Sequence, residues 1–290
     1  MNRLTLGLPK GSLQDATFSM MKKAGFNVSA GSRSYVPDID DDTIDARLVR
    51  AQEISRYVES GALDAGMTGY DWITENDSSV FEVCELIYAK QGLRPVKWVV
   101  AVPLDSEIKS LTDLNGKRIA TEAVGLTQKF LAENNIEADV EFSWGATEAK
   151  TPELVDAIVE LTETGSSLRA NNLRILATVL ESTTRLIANH DAWKDSWKRK
   201  KIEQISMLLE GALRAESRVV IKLNAKQQDV KKITEILPSL HAPTINCLDT
   251  EGWIAIESVI EERVVRKIIP ELKDAGAEGI IELPLNKVIP

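Results

Sequence analysis

Residues 156–173, D-A-I-V-E-L-T-E-T-G-S-S-L-R-A-N-N-L, pass from an apolar strand-like run through an acid into a loop of hydroxyls around a single glycine. Val155, Ala157, Ile158 and Val159 make the apolar run, and Glu160 ends it. Thr162, Thr164, Ser166 and Ser167 then surround Gly165, with Leu168 returning to apolar character. A glycine there lets the backbone take positive φ, so that successive N–H groups point inward at an anion. A helical turn opening at Ser166 or Ser167 would add free N–H groups and a favourable dipole. The same string also fits an ordinary Ser/Thr N-cap after a glycine turn, and by itself leaves both readings open. Glu160, five residues ahead of Gly165, adds an acceptor that can hold ribose hydroxyls of a ligand whose 5′-phosphate lies in the loop.

Further along the chain, strands alternate with helices and glycines mark the joints. Residues 4–8 read as a strand that turns through Pro9-Lys10-Gly11-Ser12 into a helix ending near Gly25. Lys10 and Gly11 thus stand where a strand hands over to a helix, a favoured anion position, although a capped helix beside a solvated lysine fits equally well. Residues 46–49 and 63–67 read as strands around a helix at 51–60, ending in Thr68-Gly69-Tyr70-Asp71. This order predicts a parallel α/β sheet whose ligands gather at the carboxyl ends of its strands, with Lys10 and Asp71 on one rim. A second block opens at Val96-Lys97. It has strands at 98–102, 118–121 and 140–143, a helix at 126–134, and the turn Trp144-Gly145-Ala146-Thr147-Glu148. Two more strands, at 174–180 and 184–188, precede one long helix at 192–214. From Arg218 the order becomes βαββαβ, that of a ferredoxin-like domain.

With 290 residues the chain is long enough for two or three domains. A net charge of −9 argues against a general nucleic-acid or membrane-surface binder. No window approaches the ~20 apolar residues that span a bilayer, and no secretory signal is evident, so a cytoplasmic protein is expected. Cys84 and Cys247, far apart and without nearby histidine, both read as reduced core residues. His190 and His241 read as turn or loop residues, which leaves a metal centre or Ser-His-Asp triad without material. The acids Asp38, Asp40, Asp41 and Asp42 fit a solvated turn better than a metal site.

Five stretches, in order, resemble the long-form ATP phosphoribosyltransferase family: Leu8-Pro-Lys-Gly-Ser-Leu13, Arg50-Ala-Gln-Glu-Ile54 leading into Gly61 to Asp71, Gly116-Lys-Arg-Ile-Ala-Thr121, Gly145-Ala-Thr-Glu148, and residues 156–173. The resemblance implies an α/β fold: a two-lobed catalytic body similar to periplasmic binding proteins, followed by a ferredoxin-like, ACT-like α+β domain. Residues 1–95 with 184–215 would form the first lobe, 96–183 the second, and 216–290 a regulatory domain. The implied reaction is transfer of phosphoribosyl from phosphoribosyl pyrophosphate to ATP, the first step of histidine biosynthesis. Mg²⁺ would ride on the substrate phosphates, histidine would inhibit through the tail, and subunits would assemble as dimers or hexamers.

The resemblance also implies roles residue by residue. Glu160, Thr162, Thr164, Gly165, Ser166, Ser167 and Leu168 would bind phosphoribosyl pyrophosphate. Lys10, Gly11, Arg50, Asp71 and Lys97 would face ATP or pyrophosphate, while Thr121, Glu148 and Asp156 would line the cleft. Thr244, Asp249 and Thr250 would lie near the histidine site. Three departures stand out: Glu160 stands where the family often has aspartate, Ser167 where it often has threonine, and Val96-Lys97 where it has a cysteine-arginine pair. An ammonium cannot reproduce a bidentate guanidinium fork, so the last exchange changes the chemistry most. The two-lobed architecture is shared with solute receptors, and the phosphate loop would suit phosphoribosyltransferases acting on other bases.

Overall fold

The computed structural model describes residues 2–31, 34–89, 92–240 and 242–289; His241 lies outside them. Contacts divide the chain into two compact units, Met1–Lys22 with Phe26–Ser206, and Lys23–Gly25 with Met207–Pro290. The first opens with β1 (Leu4–Lys10), α1 (Gln14–Ala24) and the short pair β2 (Val28–Ser29) and β3 (Asp38–Ile39). β4 (Ile44–Arg50), α2 (Ala51–Glu59), β5 (Ala65–Gly69), α3 (Tyr70–Glu75) and β6 (Phe81–Leu86) follow. The chain then crosses to β7 (Val96–Pro103), β8 (Arg118–Thr121), α4 (Val124–Glu133), β9 (Asp139–Phe142), β10 (Ala157–Thr162), α5 (Ser166–Ala170) and β11 (Leu173–Ser182). It returns through β12 (Thr184–Ala188), α6 (His190–Lys194) and α7 (Ser196–Ala215).

Two five-stranded sheets result, ordered β4-β1-β5-β12-β6 and β9-β8-β10-β7-β11. Each places its own second, first and third strands side by side, then a strand that has crossed from the other lobe, then its fourth. The crossing strands β12 and β7 run antiparallel to both neighbours, whereas β4, β1 and β5 are parallel, as are β9, β8 and β10. This is the two-lobed α/β body that the sequence predicts.

Glycine sets how closely α2 covers the first sheet. A Cβ on Gly66 would lie 2.5 Å from Ile54 Cγ2 and 3.2 Å from Val58 Cγ2, and one on Gly7 would lie 2.6 Å from Leu63 Cδ1. Fully buried Ile54 and Val58 therefore seat directly on backbone. β6 carries little strand signal, because Glu82 and Glu85 interrupt its apolar residues. Its pairing with β12 offsets this: Arg185 lies 3.6 Å from Glu82 and 3.1 Å from Glu85. The single helix expected over 192–214 is two, because the Asp195 carboxylate accepts the Trp197 and Lys198 N–H groups at 3.0 and 2.9 Å and starts α7 afresh. His190 is the first residue of α6.

The second unit continues with β13 (Arg218–Lys226), α8 (Val230–Ile236), β14 (Thr244–Cys247), β15 (Trp253–Glu261), α9 (Glu262–Asp274) and β16 (Glu278–Pro284). Its antiparallel sheet has the order β14-β15-β13-β16, the ferredoxin-like arrangement. Strict alternation builds it: Val219, Ile221, Leu223 and Ala225 of β13 and Ile254, Ile256 and Ile260 of β15 are buried against Ile233, Val265, Ile268 and Leu272. Cys247 corrects the expectation of two core cysteines, since it is exposed on edge strand β14, while Cys84 is half-buried; neither forms a disulfide.

Gly66→Ala isolates the close packing of α2. The methyl gains about 0.4–1 kcal/mol by restricting the unfolded chain, but overpacking a core costs about 1–3 kcal/mol. Net destabilisation in urea denaturation, with an unchanged m-value, is expected; equal or greater stability would contradict this packing.

Candidate functional site

The hydroxyl-rich loop follows β10. Gly165 takes φ 70° and ψ 10°, the left-handed conformation that glycine allows without penalty. Its N–H donates to Thr162 Oγ1 at 2.7 Å, and Thr164 Oγ1 donates to Ser166 Oγ at 3.0 Å. The N–H groups of Ser166, Ser167 and Leu168 precede the first bond of the turn, which Arg169 N makes to Gly165 O at 3.1 Å. Leu168 anchors the loop by packing with Val99, Ala101 and Ile158. Ser167 Oγ donates to Glu148 Oε1 at 2.5 Å, so the 144–148 turn and the loop touch. A Cβ on Gly165 would stand 2.9 Å from Arg169 Nη1, which places a guanidinium over the glycine. Arg169 was not among the residues picked out by sequence, although a base one turn after a glycine loop is a signal for an anion.

Around the loop the charge is acidic. Burial pushes the Glu160 carboxyl above the usual glutamate range; hydrogen bonds from Thr147 and from the Leu161 N–H oppose this, and the charges of Glu148 and Glu122 reinforce it. Thr121 ends β8 beside β10, with its hydroxyl accepting from Ala123 N at 3.1 Å. Lys97 pairs in register with Thr162 and Glu181, and its ammonium lies 2.7 Å from Glu181 Oε1. Asp156 does not line the cleft. It accepts from Arg118 N at 2.8 Å at the amino ends of parallel β10 and β8, a strand's length from the loop. Adjacency to a motif in sequence does not tell which end of a strand a residue occupies.

On the first lobe, Lys10 and Arg50 are register partners at the carboxyl ends of β1 and β4. Gly11 has φ 107°, and a Cβ there would sit 3.5 Å from Arg50 Nη1. Lys10 Nζ donates to Ser34 O at 3.1 Å and lies 4.2 Å above the Tyr35 ring. Asp71 is 3% exposed, and its carboxylate is filled from within: Oδ1 accepts from Ser182 Oγ at 2.9 Å and Trp72 N at 3.1 Å, and Oδ2 from Trp98 Nε1 at 2.8 Å. Burial nevertheless holds its pKa above the aspartate range, these hydrogen bonds countering only in part. Asp71 thus joins α3 of one lobe to β7 and β11 of the other, beside an edge-on Trp72–Trp98 pair with centroids 5.7 Å apart.

Between the lobes lies a cleft of about 580 Å³, a volume suited to a small-molecule ligand. Arg50, Arg56, Glu75, Glu122, Phe142 and Trp144 are among the residues lining it. Two bridges cross it: Gln52 Nε2 donates to Glu122 Oε1 at 3.0 Å, and Glu75 accepts from the Gly125 and Leu126 N–H groups at 3.0 and 2.7 Å. Among the described residues no group of three or more His, Cys, Asp or Glu side chains is placed to hold a metal ion. In the separate second unit, Thr244 begins β14, and Asp249 and Thr250 sit in the turn before β15, all exposed.

Residues 50–211 match the ATP phosphoribosyltransferase family, and residues 215–287 match the region described as HisG, C-terminal domain. The chain belongs to the ATP phosphoribosyltransferase family. An ATP phosphoribosyltransferase of Thermodesulfovibrio yellowstonii is 59% identical over 287 residues, covering 99% of this chain and 98% of the relative. One from Chlorobium luteolum is 57% identical over 286 residues, covering 99% and 97%. The solved ATP phosphoribosyl transferase (HisG:HisZ) complex from Thermotoga maritima superposes with a TM-score of 0.61 at 25% identity, covering 71% of this chain and 98% of that one. The protein is therefore an enzyme that transfers phosphoribosyl.

Trp98→Phe tests the bond across the lobes. It leaves Asp71 Oδ2 buried without its donor, a loss of about 1–3 kcal/mol. Loss of packing is independent of pH, but a carboxyl whose folded-state pKa is already raised is pushed higher still. The folded state then holds the ion at growing cost as pH rises above the aspartate range. Denaturation at about pH 5 and about pH 8 is expected to show the larger deficit at the higher pH; equal deficits would refute the coupling.

Proposed function

We propose that this chain transfers the 5-phosphoribosyl group of phosphoribosyl pyrophosphate to N1 of ATP, releasing pyrophosphate and opening histidine biosynthesis in the cytoplasm. The observation that carries the reading is the 162–168 loop, where left-handed Gly165, clustered hydroxyls and the Arg169 guanidinium sit at the carboxyl end of β10 with Glu160 a strand-end away. The 5′-phosphate lies on the loop, and Glu160, aided by Glu148, accepts from the ribose hydroxyls. Glu160's raised pKa makes this acceptor weaken as pH falls through its own, elevated range.

The N1 lone pair forms the bond to the anomeric carbon as the bond from that carbon to the pyrophosphate oxygen breaks, and the leaving group departs with the electron pair. The positive charge left on the base spreads over N1 and the exocyclic nitrogen. No nucleophilic side chain or strong base is needed, so the demand on the protein is orientation and charge neutralisation. Lys10 and Arg50, side by side at the ends of β1 and β4, face the pyrophosphate. Lys97 serves there only if it exchanges Glu181 for the ligand. Magnesium bound with the substrate phosphates would supply further neutralisation, and Glu148 and Glu160 are the carboxylates beside the loop that would accept from waters on it.

The second unit is read as the regulatory domain, with histidine bound near Thr244, Asp249 and Thr250, in a dimer or hexamer of the chain.

Incubation with ATP, phosphoribosyl pyrophosphate and Mg²⁺ is expected to yield phosphoribosyl-ATP and pyrophosphate, and Gly165→Asp to abolish calorimetric binding of phosphoribosyl pyrophosphate in a folded protein. Unchanged affinity in that variant would remove the loop from the site. Histidine is expected to inhibit the full chain and not a chain ending at Ala215, which keeps α7 whole, with oligomeric state measured on both. Persistent inhibition of a folded truncate refutes the regulatory assignment.

A further inference from the structure

The 580 Å³ cleft has one wall that the phosphate loop, Lys10 and Arg50 do not explain. Of the six tryptophans, Trp72 and Trp98 are buried and Trp193, Trp197 and Trp253 half-buried, but Trp144 is 94% exposed. It lies in the concavity between the lobes, not on a convex surface. Phe142, 47% exposed, meets it edge-on, with centroids 4.8 Å apart at 86°.

The turn that carries this ring is built. Buried Ser143 and Thr147 close it with hydroxyls 3.0 Å apart, and Ser143 N donates to Thr121 O at 2.8 Å. Between them Gly145 has φ 126° and the non-glycine Ala146 φ 49°, backbone that a chain rarely adopts without cause. The result holds a large aromatic face toward solvent inside a cleft, an arrangement that the hydrophobic effect opposes unless a flat partner covers the ring.

We propose that Trp144, backed by Phe142, is the stacking platform for the adenine ring of ATP. The proposal deepens the transfer reaction set out above and rests on it. Three features point to a purine nucleotide. A stacked base is flat and apolar on its faces, which is what the exposed indole lacks. Arg50 and Arg56 line the same cleft and supply cations for the phosphate chain. Glu122, also lining it, is an acceptor for an exocyclic amino group. Position agrees as well: Glu148, four residues beyond Trp144, touches Ser167 of the phosphate loop. A base on Trp144 and a ribose at Glu160 are then linked through the 144–148 turn, whose Thr147 hydrogen-bonds Glu160 and whose Glu148 meets Ser167, as a reaction joining N1 to the anomeric carbon requires.

The test uses the full chain and reads binding and turnover separately. Saturating Mg-ATP is expected to quench the red-shifted part of the tryptophan emission, and ribose 5-phosphate to leave it unchanged. In Trp144→Phe that component is absent and ATP changes the emission little. In steady-state assays Trp144→Ala is expected to raise the KM for ATP about ten- to hundredfold, leave that for phosphoribosyl pyrophosphate within about twofold, and be largely rescued by Trp144→Phe. An emission unmoved by ATP, or an unchanged KM for ATP in Trp144→Ala, overturns the proposal even where the enzyme turns over normally. Failure of the unaltered chain to make phosphoribosyl-ATP overturns the transfer reading instead. The quenching experiment needs no turnover and still decides whether Trp144 meets the base.

Discussion

A single buried carboxylate holds the catalytic unit in register. Asp71 lies in the first turn of α3 in one lobe, yet two of its three hydrogen-bond donors, Trp98 Nε1 and Ser182 Oγ, belong to strands of the other. Burying such a group is costly unless its lone pairs are filled, so the two lobes must meet where these donors converge. Trp72, the next residue, carries the same join into apolar packing and sits within the second lobe's core cluster beside Trp98. The cleft, its two polar bridges and the rim residues all take their positions from this join.

The site divides labour between strand ends and turns. Parallel strands bring Lys10 and Arg50 together on one sheet and set Thr121 level with Val159, one residue before Glu160, on the other, because parallel neighbours end on the same side. Glycines at 11 and 165 then let the backbone turn in conformations that keep its N–H groups and the nearby guanidiniums close. The acids Glu122, Glu148 and Glu160 crowd the same region, and the Glu160 carboxyl is raised by burial first and by the charges of Glu148 and Glu122 after it. Such crowding disfavours an empty, fully ionised site and favours one in which ligand hydroxyls or a cation relieve it.

What the sequence makes legible is what is local. The strand, glycine and helix start at 157–170, the alternating strands of the second unit and the alternation of strand and helix in the first follow from periodicity and turn residues. The strand-to-helix turn marks Lys10, whereas Arg50 and Glu148, which share no local pattern, are pointed to by the family resemblance alone. What escapes is non-local: Gln52 with Glu122 and Glu75 with Gly125 are bridges between residues 70 and 50 positions apart. Nothing in their neighbourhoods announces a partner. Asp156 failed for the opposite reason, being close in sequence to the loop but at the far end of its strand. β6 is hidden because its two glutamates find their partners, Arg185 and Thr183, about a hundred residues later.

The exchange of one strand between lobes also bears on how the chain can be made. In the first sheet β6 has a single neighbour, β12, which is inserted between it and β5. Until residues 184–188 leave the ribosome, β5 has an open edge and β6 has nowhere to pair. By then the whole of the second lobe has been synthesised. The lobe begun first is therefore the one completed last, and its sheet edges are exposed for as long as the other takes to emerge. For this architecture the order of synthesis and the order of completion are opposed, and the burden of guarding unpaired backbone falls on the amino-terminal lobe.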